Sequence, residues 1–268
     1  MKKTTVKMWI FFLLPALFMF GLMVLPASRA QTIIQTDDGE EIIIYPVGSE
    51  PKPQPSPVVW EGSTARLGSV LFDSQTRTVT ATGWVNQVEG VVEVLACGLR
   101  GKVHESIFVL AASPLDLQAA LLLAGNKGGE PMARFGEGPP RGSPVDMFVE
   151  WEADGETKTA RAETFVWDLQ KGDVLPDGPW VFTGSILKDG EFKATLEESL
   201  IVTFWDPYAI INNPYPNGSN DKVLVVNTRT VPPMETPIRF HIKPAVAVNP
   251  LAATDPVVSD PPRIRYGL

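Results

Sequence analysis

The amino-acid sequence predicts a mainly β fold: β-rich α+β, with sandwich-like antiparallel sheets and one buried α-helix around residues 114–124. Three observations lead there. Between Val58 and Lys243 the dominant spacing of apolar residues is two, the period of a strand with one buried face. Turn-forming pairs such as Asp189-Gly190 and Asn217-Gly218 cut this region into short segments. A single stretch, Ser113 to Gly125, carries both a helix start and a helix stop.

In chain order, Lys2, Lys3 and Lys7 precede an apolar run from Met8 to Leu25, and Ser28-Arg29-Ala30 sets small residues where a signal peptidase reads. Residues 1–30 are therefore expected to be a signal peptide cut after Ala30, with the mature protein in the periplasm or cell envelope. The alternative is an uncleaved anchor, because the run is also close to the minimum for a membrane span; Pro15, Gly21 and Pro26 count against a stable spanning helix. Membrane contact is expected only through this segment, and only if it is retained. Residues 31–57 read as a linker, since from Pro51 to Pro57 every second residue is proline, which favours extended polyproline II.

The folded domain is expected over residues 58–243. Gly68–Phe72 and Arg77–Ala81 form a hairpin around Asp73-Ser74-Gln75 in this reading. Val91–Cys97 and Ser106–Ala111 are apolar and rich in β-branched residues, and the glycine-containing segment between them reads as a hairpin connection. In the helix Ser113 can cap, Pro114 suits the first position, Asp116 faces the positive end of the dipole and Gly125 can end it. Its body is apolar almost all round, which predicts burial against a sheet. Val145, Met147, Val149 and Trp151 share one face of the next strand. Trp180–Ser185, Ser199–Trp205, Lys222–Val226 and Pro237–Ile242 are further strands, with a single helical turn expected at Asp206-Pro207. Trp60, Trp84, Trp151, Trp167, Trp180 and Trp205 sit among alternating apolar residues, which predicts core packing for them. Residues 244–268 read as a proline-rich disordered tail.

The chain carries 23 basic and 31 acidic residues, a net charge of −8. Loss of residues 1–30 removes Lys2, Lys3, Lys7 and Arg29 and no acid, which makes the mature chain more acidic still. Such a surface repels nucleic acid, and no basic stripe or nucleic-acid motif offsets it. The single cysteine cannot close an internal disulfide, so stability must come from an apolar core. Neither can it hold an iron–sulfur cluster within this chain, and no cofactor is expected.

Cys97-Gly98-Leu99-Arg100-Gly101-Lys102-Val103-His104-Glu105-Ser106 gathers that cysteine, one of two histidines, a carboxylate and two cations. Across a hairpin, Cys97 and His104 would be neighbours, and an imidazolium beside a thiol is what a nucleophilic cysteine needs. Unless the strand starts only after Glu105, strand alternation would point His104 and Glu105 to opposite faces, which argues against a shared metal site, and no metal is expected. Arg100, Gly101 and Lys102, with Glu105 and Ser106, are the candidate binding residues: glycines let backbone amides converge and the two cations would attract a small anion. The plain structural reading is a charged turn that holds two buried strands in register. The oxygen-rich stretch Asp206 to Asp221 lacks the spacing of a calcium loop.

At Ala96-Cys97, Gly101-Lys102-Val103-His104-Glu105-Ser106, Leu117 to Leu123, Val149-Glu150-Trp151, Trp180-Val181-Phe182-Thr183-Gly184-Ser185, Ser199-Leu200-Ile201 and Asn227-Thr228, the chain resembles the YdjY-like domain family, bacterial envelope proteins of unassigned function. The resemblance spans roughly Val58 to Lys243 and implies an envelope protein without implying an activity. The expected function is an exported envelope protein acting as a non-catalytic binding or accessory domain, with a small anion or an envelope protein as partner. Two alternatives stand beside it: an envelope hydrolase or thiol enzyme using Cys97 and His104, and a structural protein-interaction module.

Overall fold

The computed structural model describes residues 32–35, 41–44, 54–130 and 132–245; the expected signal peptide and nearly all of the expected tail lie outside the described residues. The chain divides into a unit up to Pro53 and a unit from Gln54 onward. In the first, β1 (Thr32–Gln35) and β2 (Glu41–Ile44) pair as an antiparallel hairpin within the stretch expected as linker.

The second unit opens with an antiparallel meander of β3 (Val58–Glu61), β4 (Thr64–Leu67), β5 (Val70–Asp73) and β6 (Thr78–Val85). The Asp73 carboxylate fixes the last turn by accepting the Gln75 N–H at 2.8 Å, an Asx turn, which is why the sequence announced this hairpin. The chain continues through β7 (Val94–Cys97), β8 (Ser106–Leu110), α1 (Pro114–Leu123), β9 (Ser143–Ala153), β10 (Glu156–Arg161), β11 (Val166–Asp168), β12 (Asp173–Val174) and β13 (Trp180–Phe182). It ends in β14 (Leu187–Lys188), β15 (Glu191–Phe192), α2 (Ala194–Glu197), β16 (Ser199–Val202), β17 (Ile211–Asn212), β18 (Leu224–Val226) and β19 (Pro237–Pro244).

The sheets do not form a sandwich. Strands β9, β13, β17, β16, β7, β8 and β6 follow one another by hydrogen bonding, and β19 pairs with both β6 and β9, so an 8-strand β-barrel closes. Period-two patterning is identical in a sandwich and a barrel. Closure rests on β19, which meets Thr80 on one side and Phe148 on the other at His241 and so leaves no edge there. The expectation of purely antiparallel sheets fails as well, because β7–β8 and β16–β17 are parallel.

Alternation along the barrel strands points Val79, Ala81 and Val85, Val145, Met147 and Val149, and Ile238, Phe240 and Ile242 into one buried core. Phe108 meets Phe165 and Phe240 edge-on at ring separations of 5.4 and 5.9 Å. The interior is therefore filled by side chains, as expected of a barrel of this size. Outside the barrel, β11 pairs with β12 and β18 in a small three-stranded sheet.

The helix forms where expected, but only one stripe of it is buried: Leu117, Ala120 and Leu121 pack inward while Leu122 and Leu123 are exposed. Ser113 makes no side-chain cap; Asp116 instead accepts the Ser56 N–H at 2.6 Å and its hydroxyl at 2.9 Å, tying the start of the unit to the helix. At the other end Gly125, with φ +88°, gives a Schellman closure, its N–H bonding Leu122 O and the Asn126 N–H bonding Leu121 O. The helical turn expected at Asp206-Pro207 is a plain turn, and the short helix lies at α2 instead. Of the tryptophans, Trp180 and Trp205 are buried and Trp151 packs against the core, whereas Trp60 and Trp84 are exposed. Among the described residues no helix is long and apolar enough to cross a membrane.

Candidate functional site

Residues 98–105 connect two parallel neighbours, not two arms of a hairpin: Val94 pairs with Ser106 and Cys97 with Val109. Parallel strands ordinarily need a crossover of about a dozen residues. Here the strands are so short that eight residues suffice, provided the loop lies flat on the sheet. Gly101 allows this, since a Cβ there would sit 2.7 Å from the Cβ of Cys97. The parallel pairing returns the chain to the Val94 end before β8 begins, so it is Ser106 that enters the sheet beside Val94, and His104, two residues earlier, lies toward that end rather than beside Cys97.

Cys97 is fully buried in a small apolar cluster with Val94, Val109, Val202 and Ala209. Burial pushes its thiol above the ordinary range, outweighing the Ser106 hydroxyl that favours the thiolate. The His104 side chain is 74% exposed, its Nε2 lies 3.4 Å from Glu105 Oε1, and among the described residues no hydrogen bond joins it to Cys97. The two candidate catalytic residues are therefore apart, because the connection they share is a crossover. His104 and Glu105 do meet, contrary to the alternation expected of them: both sit in the 3₁₀ turn Val103–Glu105, and the strand starts only at Ser106. Asn86 pins that turn by donating to Val103 O and Ser106 O, and the Ser106 hydroxyl closes it on Lys102 O at 2.7 Å.

The candidate binding residues Arg100, Gly101 and Lys102 do surround an anion, and that anion belongs to the chain. The Glu198 carboxylate accepts the Arg100 N–H at 2.9 Å, its Nε at 3.0 Å and its Nη2 at 2.7 Å. Glu198 is buried, holds a left-handed φ of +46° and receives the Gly98 N–H on its carbonyl at 2.8 Å. Lys102 Nζ pairs with Glu197 Oε2 at 2.9 Å. Although burial opposes it, this neighbour holds the Lys102 ammonium above its ordinary range. Beside Lys102 a cavity of about 20 Å³ is lined by Glu93, Phe135, Phe204 and Asp206, which is room for one water. Burial raises the carboxyls of both Glu93 and Asp206, the latter to about 6. Among the described residues no group of three or more potential ligands is placed to hold a metal.

The oxygen-rich stretch is likewise consumed internally. Asn212 bonds Asp206 through both N–H and carbonyl, while Asn213 reaches Thr203 O and Asn217, and Asn217 donates to Asp168 at 2.8 Å. A family model described as the YdjY domain matches residues 70–243. The chain belongs to the YdjY domain family. No curated protein and no solved structure matches it. The YdjY domain match runs from the start of β5 to Lys243, the penultimate residue of β19, so it takes in every barrel strand and the crossover and leaves β3 and β4 outside.

Two surface features of the YdjY domain have no counterpart in the sequence reading. On the outer barrel face Thr80 Oγ1 lies 3.0 Å from His241 Nδ1, and His241 Nε2 lies 3.5 Å from Glu150, which Arg239 also holds. A hollow of about 280 Å³ adjoins them between Thr82, Glu150, Trp151 and Arg239. A second hollow, of about 350 Å³, opens beside Trp167 and Arg229. Thr80 and His241 lie 161 positions apart and the second hollow draws on residues from Gly90 to Arg229, so only the fold assembles them. Trp167, expected in the core, and Asn227-Thr228, part of the family likeness, are the local signals near the second hollow.

Proposed function

We propose that the protein is an exported, non-catalytic binding or accessory domain of the cell envelope. One observation carries the non-catalytic part: the cluster with the richest chemistry in the sequence is closed on itself, its thiol buried and its cations answered by Glu197 and Glu198. A thiol enzyme needs a thiolate that substrate can reach and a base beside it. Cys97 has a raised pKa and His104 turns to Glu105, which speaks against that alternative. Export rests on the signal-like N-terminal segment and on the family.

A second reading, a protein-interaction module, is favoured by β3. This edge strand is exposed at all four positions, including Val58, Val59 and Trp60, whereas the opposite edge, β10, is guarded by Glu156 and Lys158. Expression of the full chain in a bacterial host, followed by fractionation and intact mass, tests the localisation. The expected product is an envelope-fraction protein beginning at Gln31. A full-length product confined to the cytoplasm would overturn the reading.

A further inference from the structure

The hollow beside Trp167 differs in kind from the other surface depressions. Gly90, Trp167, Val225, Val226, Asn227, Thr228 and Arg229 line it, and no carboxylate is among them in a chain of net charge −8. Asn227 builds the rim: it is buried, its N–H bonds Phe165 O at 2.8 Å and its side chain donates to Thr164 O at 2.8 Å. Its Oδ1 accepts the Arg229 N–H, and Thr230 N–H and Val231 N–H close on its carbonyl, so the turn that carries Thr228 and Arg229 is fixed from below.

The Arg229 guanidinium lies over the Trp167 ring at 5.0 Å from its centroid. A contact of this kind on the ring face holds the cation in place and uses none of its N–H donors. Among the described residues Arg229 has no ion pair and its guanidinium donates no hydrogen bond, and the Thr228 N–H and hydroxyl have no protein partner either. Three unanswered donor groups thus line one concavity with an apolar wall of Val225 and Trp167. Its volume falls at the small end of ordinary ligand sites.

From this we infer that the hollow binds a carboxylate carried on a small apolar group, with the guanidinium fork taking the two oxygens and Thr228 a third hydrogen bond. A planar fork matches a carboxylate in two-point contact, and a guanidinium already held on a ring face loses little freedom on binding. The inference rests on the binding reading above and gives it a site. The carboxylate could come from a free organic acid or from the C-terminus of a peptide, and the probes separate the two.

The test is a titration of the full chain followed through the Trp167 indole N–H and Thr228 amide signals. The probes are benzoate and acetyl-Ala-Ala, each against its neutral amide, and inorganic phosphate. Saturable shifts with at least one carboxylate are expected, weaker by about tenfold or more with its amide, lost in Arg229→Gln and weakened about tenfold in Arg229→Lys. The tighter of benzoate and acetyl-Ala-Ala identifies the source. No saturable shift with either acid, an equal response to the amides, indifference to Arg229→Gln, or phosphate binding as tightly would each overturn the assignment. Arg229 is exposed, so its variants should fold, and Thr228→Val gives a second probe of the same donors. Failure here with an exported protein and an inert thiol would remove this site and leave the broader binding reading intact.

Discussion

The crossover above Cys97 and the hollow beside Trp167 hold similar groups, cations and backbone donors on an apolar bed, and differ in what answers them. At the crossover Glu198 takes three donors of Arg100, and Glu197 takes Lys102. At the hollow the Arg229 guanidinium rests on an indole, and among the described residues its donors meet no acceptor of the protein. The first is a finished structural joint; the second is an open valence. Residue types alone did not distinguish them, and the location of two consecutive glutamates almost a hundred positions from Arg100 did.

If the contrast is right, the largest effect should come from emptying the seat at the crossover. Glu198→Ala leaves the Arg100 N–H and guanidinium without their acceptor and should cost about 3 kcal/mol in denaturant unfolding. A loss within about 0.5 kcal/mol would mean that Glu198 is not structural there. Next comes pH. The Asp206 carboxyl is raised in the folded state to about 6 by burial, with Lys102 opposing and Glu197 adding to the shift. A raised folded pKa means that the native state binds more protons, so stability should fall as pH rises from about 4 to about 6 and level off above, by at most about 3 kcal/mol. Glu93 and Glu163, also raised by burial, act in the same direction. Asp206→Asn keeps an acceptor for the Tyr208 N–H and should flatten much of that slope; an unchanged slope would remove Asp206 from the account.

Smaller again is Gly101→Ala. The new methyl meets the Cβ of Cys97 and should cost about 1 to 2 kcal/mol. Because the clash is with Cβ and not sulfur, Cys97→Ala should not relieve it; relief would show that the loop packs on the thiol. The smallest effect is at the hollow: Arg229→Gln should change stability by no more than about 0.5 kcal/mol while abolishing carboxylate binding. A large stability loss there would make Arg229 a structural residue and dissolve the contrast.

Much of the β-rich class was legible, because burial on one face writes itself into every second residue of β6, β9 and β19. The helix was legible from Pro114 and Gly125, though its apolar circumference hid that Leu122 and Leu123 face outward. Barrel closure was not, since it depends on β19 pairing with two strands that precede it by roughly ninety and roughly 160 positions. Nor was the parallel pairing of β7 and β8: glycines and charges at 98–102 compose a hairpin turn and a tight crossover equally well, and only pairing across the sheet decides. The same ambiguity governed the site. Cys97, His104, Glu105, Arg100 and Lys102 were conspicuous by residue type, whereas the partners that neutralise the two cations, Glu197 and Glu198, became meaningful only with the fold known.

The central claim, that the Cys97 cluster is structural, is tested most directly by alkylation of the thiol in the native protein across pH, with the denatured chain as reference. A thiol that is fully buried and raised in pKa should label only as fast as the protein opens, far more slowly than the denatured chain at every pH where the fold persists. Rapid labelling of the native protein near neutral pH, with a titration midpoint below that of an ordinary thiol, would contradict the account and restore Cys97 as a chemical group.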